Sequence, residues 1–296
     1  MTTHEPIEIA VCVSPSANRA EECAVVLASN GIAHRLETTG AGWMVIVAAG
    51  DAESASRVLG EYDRENRDDA PSDPSPPPYG TTWIGGVIAA LLVGFFAVTG
   101  PRGPNVWFDQ GSAAARLILS GEVWRTVTAL TLHADLAHVL SNAIASLVLV
   151  SAVAWWLGPG VGTWLVLLAG AGGNALTALA HGPSSDSVGA STAIFGALGI
   201  LAARQFVARR QGRASGRKGW VVIAASLALL GMLGTAPGSD LLAHISGLLV
   251  GGLLGIGPAL AQRRPLGRSG QWVLTLAAGG LILACWRLAL TAVGRP

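Results

Sequence analysis

A serine and a histidine lie within two separate apolar stretches of this chain. Ser191 belongs to GASTAIFG, residues 189–196, and His244 belongs to AHISG, residues 243–247. A serine hydroxyl is a weak nucleophile unless a neighbouring base accepts its proton, and imidazole titrates near neutral pH. An ionisable side chain inside a bilayer costs roughly 2 kcal/mol or more and usually faces the interior of a helix bundle. We therefore expect Ser191 and His244 to face each other as nucleophile and base.

A second group of polar residues lies in HADLAHVLSN, residues 133–142. On a helix, His138 and Asn142 are four residues apart and share a face, whereas His133 is predicted to point well away. Negative charge develops on a tetrahedral intermediate, and one hydrogen-bond donor aimed at it contributes roughly 3 kcal/mol of stabilisation. We expect His138, Asn142 and the backbone N–H of Ser191 to form such an oxyanion hole.

Small residues at helical spacing indicate where the helices approach each other. Gly196 and Gly199 follow Ser191, and Gly247, Gly251 and Gly255 follow His244. Such patterns allow membrane helices to come into backbone contact. Phe195 lies one turn below Ser191 on the same face, where its ring is predicted to stack on the imidazole of His244.

The composition indicates a polytopic membrane protein, because 51% of the residues are hydrophobic and only 12% are charged. The predicted fold class is therefore all-α, with seven membrane spans. Apolar runs of sufficient length occur at about 82–98, 134–157, 162–180, 189–208, 220–236, 241–261 and 272–293.

Positive charges predict the orientation of these spans. Residues 204–218 carry six Lys or Arg, and residues 263–268 form a second basic loop, so both are expected on the cytoplasmic side. The basic run at residues 204–218 also suits contact with anionic lipid headgroups. Counting back places the amino-terminal region in the cytoplasm as well. Ser191 then lies roughly 20 Å from the cytoplasmic end of its helix, in the outer half of the bilayer.

The amino-terminal region, residues 1–67, reads as a small soluble domain. Residues 1–79 contain thirteen acidic residues against five Arg, whereas residues 80–296 contain five against fourteen Lys or Arg. The apolar periodicity predicts a βαββα order, which is open to a ferredoxin-like arrangement. Cys12 and Cys23 fit neither a metal motif nor a disulfide framework, so reduced core thiols are expected. A proline-rich linker is predicted over residues 68–80.

In these motifs the chain resembles the rhomboid intramembrane serine proteases. The resemblance covers roughly residues 83–261 and follows the family's order of motifs. These are Trp124-Arg125, then His133-x4-His138-x3-Asn142, then Gly189-x-Ser191-x3-Phe195-Gly196, and finally Ala243-His244-x2-Gly247-x3-Gly251.

The resemblance implies a role for each of these residues. Ser191 would be the nucleophile and His244 the general base, in a dyad with no acidic third member. His138 and Asn142 would donate to the oxyanion, and His133 would support them. The fold implied is a six-helix catalytic core at residues 81–261, and residues 262–296 would add a cytoplasmic loop and a seventh transmembrane helix.

Two departures from the family pattern are visible. Phe195 stands where a tyrosine is frequent, and it keeps a stacking surface without the hydroxyl. The glutamate and arginine often found at the start of the third helix are missing from residues 158–164, which leaves the packing of that corner open.

The activity implied is endopeptidase cleavage of transmembrane segments in a cell membrane, with the site toward the outer face. Expected partners are membrane-protein substrates and lipid, and not nucleic acid. A catalytically silent rhomboid-like binding protein is the alternative, and a small-solute transporter is less suited because no intramembrane carboxylate relay is present. A metal site at His133, Asp135 and His138 has poor ligand geometry, so no metal or other cofactor is expected.

Overall fold

The structure is a computed structural model that describes residues 7–40, 42–66, 79, 82–211, 240–261 and 266–292. The chain forms two compact units, Met1–Ser72 and Asp73–Pro296. The predicted span at 220–236 and most of the predicted linker lie outside the described residues. The finer division at residues 67, 80 and 261 stays a prediction.

The amino-terminal unit contains a three-stranded sheet and two helices in its described part. These are β1 (Glu8–Ser14), α1 (Ala17–Ser29), β2 (His34–Thr39), β3 (Gly42–Ala48) and α2 (Ala52–Asn66). The order along the chain is the predicted βαββα. The sheet order is β1-β3-β2, and both outer strands are antiparallel to β3. A ferredoxin-like fold adds a strand beyond these elements, so that assignment stays a prediction.

Cys23 is a core residue of this unit. It is 1% exposed and packs with Leu27, Val45 and Val47, while Cys12 on β1 packs against the same cluster. Burial, reinforced by a hydrogen bond with the Cys12 thiol, raises the pKa of Cys23 to about 12. Both thiols are free in the structure.

We expect Cys23 to resist alkylation in the folded protein. The thiolate is the reactive form, and at pH 8 a thiol of this pKa is ionised in only about one molecule in 10⁴. Iodoacetamide at pH 8, followed by peptide mass spectrometry, should leave Cys23 unmodified in the native state and modify it fully in guanidinium chloride. Equal modification of Cys23 under both conditions would contradict the burial described here.

The second unit is helical in its described part. In chain order, its helices are α3 (Ile84–Thr99), α4 (Val106–Gly111), α5 (Ala115–Leu119), α6 (Arg125–Thr128), α7 (Leu136–Leu157), α8 (Pro159–His181), α9 (Ser191–Arg210), α10 (Leu241–Leu260) and α11 (Arg268–Thr291). Among the described residues, the last five are long and apolar enough to cross a membrane, and α3 is apolar but has only 16 residues. Their bounds lie within a few residues of the predicted spans.

Helix α9 lies at the centre of this unit and packs against α7, α8 and α10. Of its most apolar stretch, 56% is buried, the largest share among the five long helices that the structure describes. Glycines make the α9–α10 contact close. A methyl group on Gly251 would collide with the backbone of Gly196, and one on Gly247 would collide with the backbone of Thr192. The predicted glycine contact is therefore present, and it places the first turns of both helices side by side.

The long segment between α3 and α7 is built around a buried arginine. Arg125 is 2% exposed and donates to the carbonyl oxygens of Ser112 at 3.1 Å and Asp109 at 2.8 Å. It also pairs with Glu122 at 2.6 Å, so this buried charge is neutralised. The short strand β4 (Ala113–Ala114) pairs with β5 (Asp186–Ser187), which joins this segment to the residues before α9.

The corner between α7 and α8 is occupied by a side chain from α11. Gln271 is 1% exposed, and its Oε1 accepts from the backbone N–H groups of Gly160 at 2.8 Å and Val161 at 3.0 Å. Its Nε2 donates to the carbonyl oxygen of Leu157 at 3.1 Å. The amide thus bonds the free N–H groups at the start of α8 and a free carbonyl at the end of α7. The sequence left the packing of residues 158–164 open, and the structure shows that Gln271 supplies the hydrogen bonds at this corner.

Candidate active site

Ser191 and His244 are hydrogen-bonded to each other. Ser191 is the first residue of α9, and His244 lies in the first turn of α10. His244 Nε2 is 2.9 Å from Ser191 Oγ, and the two residues are only 4% and 9% exposed. Asp240 caps α10 by accepting from the N–H of Ala243 at 3.0 Å, which fixes where this helix begins. The two residues predicted to meet do so, although 53 positions separate them.

Phe195 positions the imidazole of His244. The two rings are stacked, with centroids 4.5 Å apart and an interplanar angle of 25°, and Phe195 is fully buried. This contact agrees with the prediction that Phe195, one turn below Ser191, stacks on the imidazole of His244. Nδ1 of His244 has no hydrogen-bond partner among the residues that the structure describes. The ring is thus oriented by stacking and by the serine.

His138 lies beside the backbone turn that precedes Ser191. Its Nδ1 accepts from the N–H of Ala134 at 3.4 Å, so in the neutral ring the proton is assigned to Nε2. That nitrogen faces Gly189, where an added Cβ would lie 2.8 Å from it. His138 therefore presents an N–H donor next to Ser191.

Asn142 is the second polar side chain of α7 at this site. It is 3% exposed, and its Nδ2 donates to the carbonyl oxygen of His138 at 2.9 Å. A side-chain amide has two N–H groups, so one is left to donate to a ligand. Asn142 and His138 both line the same cavity as Ser191, as their shared helical face predicts.

The predicted orientation of His133 is wrong. The Asp135 carboxylate accepts from the N–H of His138 at 2.8 Å and caps α7, so the helix begins at Leu136 and His133 lies outside it. Helical periodicity therefore does not apply to His133. Its ring is 5.2 Å from that of His138, and its Nε2 accepts from the N–H of Ala190 at 3.4 Å. His133 is fully buried and supports the turn before Ser191.

Gly189 gives that turn its shape. Its φ is +129°, a value that favours glycine, and its N–H donates to the carbonyl oxygen of Ala129 at 2.9 Å. Sequence reasoning noted the Gly-x-Ser pattern but did not assign this backbone role. The sequence feature that indicates this turn is the glycine two residues before the serine.

Ser191, His244, His138 and Asn142 line one cavity of about 960 Å³, whereas Phe195 and His133 lie behind its wall. Arg102 and Asp186 lie on its wall and form an ion pair at 2.6 Å. His181 and Asp240 also line it. Among the described residues, no group of three or more His, Cys, Asp or Glu is arranged to bind a metal ion.

Comparison with known proteins relates this part of the chain to a described family. A family described as Rhomboid domain matches residues 120–259, a span that contains Ser191, His244, His138 and Asn142. The chain contains a rhomboid domain. The rhomboid domain thus covers α6 to α10, whereas α3 and α11 lie outside the matched span.

Two curated relatives are each similar to about half of the chain. Rhomboid-like protease 1 of Toxoplasma gondii is 30% identical over 154 residues, which cover 51% of this chain and 53% of the relative. RHOMBOID-like protein 7 of Arabidopsis thaliana is 33% identical over 160 residues, which cover 53% of this chain and 49% of the relative. The chain spans about half the length of the curated relatives it matches.

Proposed function

We propose that the protein is an intramembrane serine endopeptidase that cleaves transmembrane segments of other membrane proteins. The observation that carries this proposal is the 2.9 Å contact between His244 Nε2 and Ser191 Oγ in a buried site. A serine becomes nucleophilic when a base within hydrogen-bond reach accepts its proton. The rhomboid domain match and a relative named as a protease support the same activity.

The first half of the reaction follows from this contact. Ser191 Oγ attacks the carbonyl carbon of the scissile peptide bond, while His244 Nε2 accepts the hydroxyl proton. The carbonyl oxygen becomes negative and accepts from the N–H donors of His138, Asn142 and the Ser191 backbone. The C–N bond then breaks, and His244 gives its proton to the leaving amine. The carbonyl fragment stays on Ser191 as an ester.

Water completes the second half. His244 accepts a proton from the water as the water oxygen attacks the ester carbon, and the same donors stabilise the new oxyanion. The ester bond to Ser191 Oγ breaks, and the proton returns from His244 to that oxygen. The products are a carboxylic acid and the restored dyad. Polar side chains on the cavity wall, among them Arg102, Asp186 and Asp240, suit the entry of water.

The orientation proposed is an active site toward the outer face of a cell membrane, with the amino-terminal unit in the cytoplasm. Helix α9 has 20 residues, about 30 Å, and carries Ser191 at one end and Arg209 and Arg210 at the other. Arg204 lies over the ring of Trp156 at 5.0 Å, near the same basic end. Basic residues favour the cytoplasmic side, so Ser191 lies toward the opposite surface.

A transmembrane substrate must expose a peptide bond before Ser191 can reach it. The backbone of a membrane helix is fully hydrogen-bonded within the helix, so the segment has to unwind locally. Polar groups in the cavity can replace the hydrogen bonds that the unwound segment loses. The proposed substrates are therefore membrane-protein segments whose helix is weak near the outer surface.

Cleavage in liposomes tests this function. The purified protein, reconstituted with a single-span model substrate, should cut it at one site, and a fluorophosphonate probe should label Ser191. The Ser191→Ala variant should do neither while retaining the wild-type melting temperature. If the wild type binds the substrate without cutting it and does not react with the probe, the silent binding-protein function replaces this proposal.

Phe195→Leu is expected to lower kcat about five- to tenfold. The ring contact with His244 is worth about 1 kcal/mol, and its loss lets the imidazole leave the orientation that accepts the proton. Steady-state cleavage kinetics measure the effect. Ile194→Ala is the control, because Ile194 is equally buried on α9 but packs with Val139 and Leu92. A similar loss of kcat in the control would show that general packing, and not stacking, matters.

A further inference from the structure

We propose that the carboxyl-terminal helix α11 positions the catalytic turn, through a hydrogen bond from Trp286 to Thr131. The proposal rests on the proposed peptidase function and assigns a task to a helix outside the matched rhomboid domain. Trp286 is a positioning residue in this scheme, since it does not touch the dyad.

Trp286 is anchored at one end of α11. It is 7% exposed, and its Nε1 donates to Thr131 Oγ1 at 3.1 Å. The Thr131 hydroxyl in turn donates to the carbonyl oxygen of Thr128 at 2.7 Å, so its hydrogen is engaged and its lone pairs face the indole. Ring contacts with Phe95 at 5.4 Å and Trp107 at 5.2 Å fix the indole from other sides.

Space for the indole is provided by Gly111. A methyl group at this position would collide with the Trp286 ring, so the close approach of α4 and α11 requires a glycine. Phe108, Leu132 and Ala289 complete a buried cluster with Trp286. We call this group the Trp286 cluster.

The Trp286 cluster contacts both chain segments that lead to the active site. Leu132 is a member and directly precedes His133, while Val188 packs against the cluster and directly precedes Gly189. Thr131 itself ends the 3₁₀ turn Ala129–Thr131, whose Ala129 carbonyl oxygen accepts from the N–H of Gly189 at 2.9 Å. The hydrogen bond from Trp286 to Thr131 and the apolar contacts of Leu132 and Val188 thus connect α11 to the turn that carries Ser191.

The opposite end of α11 makes a different contact. Gln271 bonds the corner between the end of α7 and the start of α8. His138 lies at the other end of α7, and the other end of α8 leads to Ser191. Both contacts stabilise α11, but only the Trp286 contact continues to the catalytic turn. Gln271 therefore provides a matched control on the same helix.

The test uses Trp286→Phe, Thr131→Val and the double variant in the full-length protein, with Gln271→Leu as control. Loss of one hydrogen bond that positions a reacting group should lower kcat about fivefold, with KM within about twofold of wild type. The double variant should be no slower than the slower single variant, because both changes remove the same bond. Gln271→Leu should lower the melting temperature while kcat below that temperature stays within about twofold.

A second measurement does not depend on catalysis. Hydrogen–deuterium exchange of the peptide containing Gly189 should rise about fivefold or more in Trp286→Phe and in Thr131→Val, and should not change in Gln271→Leu. Unchanged exchange together with unchanged kcat would overturn the positioning role, as would an equal loss of kcat in Gln271→Leu. If the wild type cleaves nothing, the proposed function fails, and the exchange data alone decide whether α11 positions this turn.

Discussion

The Ser191→Ala and His244→Ala double variant is expected to be no slower than either single variant. Each single change should reduce kcat by about 10⁴-fold or more, since the serine without its base and the base without its serine are both ineffective. The 2.9 Å contact makes the two side chains one functional unit. The residual rate in all three variants should reflect the oxyanion donors and substrate positioning alone. Single-turnover cleavage in liposomes measures these rates.

Ser246→Ala is the matched control for this experiment. Ser246 is a buried serine on α10, two residues beyond His244, and is 2% exposed. Its replacement should leave kcat within about twofold. A double variant slower than each single variant by a further large factor would mean that Ser191 and His244 act independently. More than about 1% of wild-type activity in Ser191→Ala would point to another nucleophile.

Gly189→Ala is expected to lower kcat by about 10²- to 10³-fold. The new Cβ would lie 2.7 Å from Cε1 and 2.8 Å from Nε2 of His138, and the φ of +129° is unfavourable for alanine. Relief of this clash moves either the His138 ring or the turn, and both movements take an oxyanion donor away from its place beside Ser191. Cleavage kinetics and fluorophosphonate labelling rates should fall together, because both reactions use the oxyanion hole.

Gly182→Ala separates backbone strain from the clash. Gly182 also has a positive φ, +70°, but an added Cβ there would meet nothing within 4 Å. This variant should lose about 1 kcal/mol of stability and keep kcat within about threefold. If both glycine variants lose activity equally, the backbone strain of a positive φ, and not the contact with His138, is the cause.

Contacts among the candidate site residues could be predicted because each has a distinctive chemical type within an apolar background. Ser191, His244 and Phe195 share faces that helical spacing fixes, so their meeting follows once α9 and α10 are assigned. The orientation of His133 could not be predicted in this way. It depends on where α7 begins, and the side-chain cap from Asp135 decides that.

The partners of α11 were also beyond prediction. Gln271 and Trp286 are polar or amphipathic residues in an apolar run, which is a signal that each needs a bonding partner. The partners lie 110 or more positions away along the chain, in a turn and at a helix corner. No periodicity relates residues at such separations, so only the three-dimensional structure identifies them.

The glycine contact between α9 and α10 has a kinetic consequence. Backbone atoms meet directly there, and glycine has no side-chain rotamers that could relax. The distance between Ser191 and His244 can therefore change little. The dyad is preorganised before any substrate arrives, and substrate binding need not assemble it. For the proposed peptidase activity, we expect the slow events in turnover to belong to the substrate, as its helix leaves the lipid and unwinds. Changes in bilayer thickness should accordingly alter the rate of proteolysis far more than the rate at which a small acylating agent reacts with Ser191.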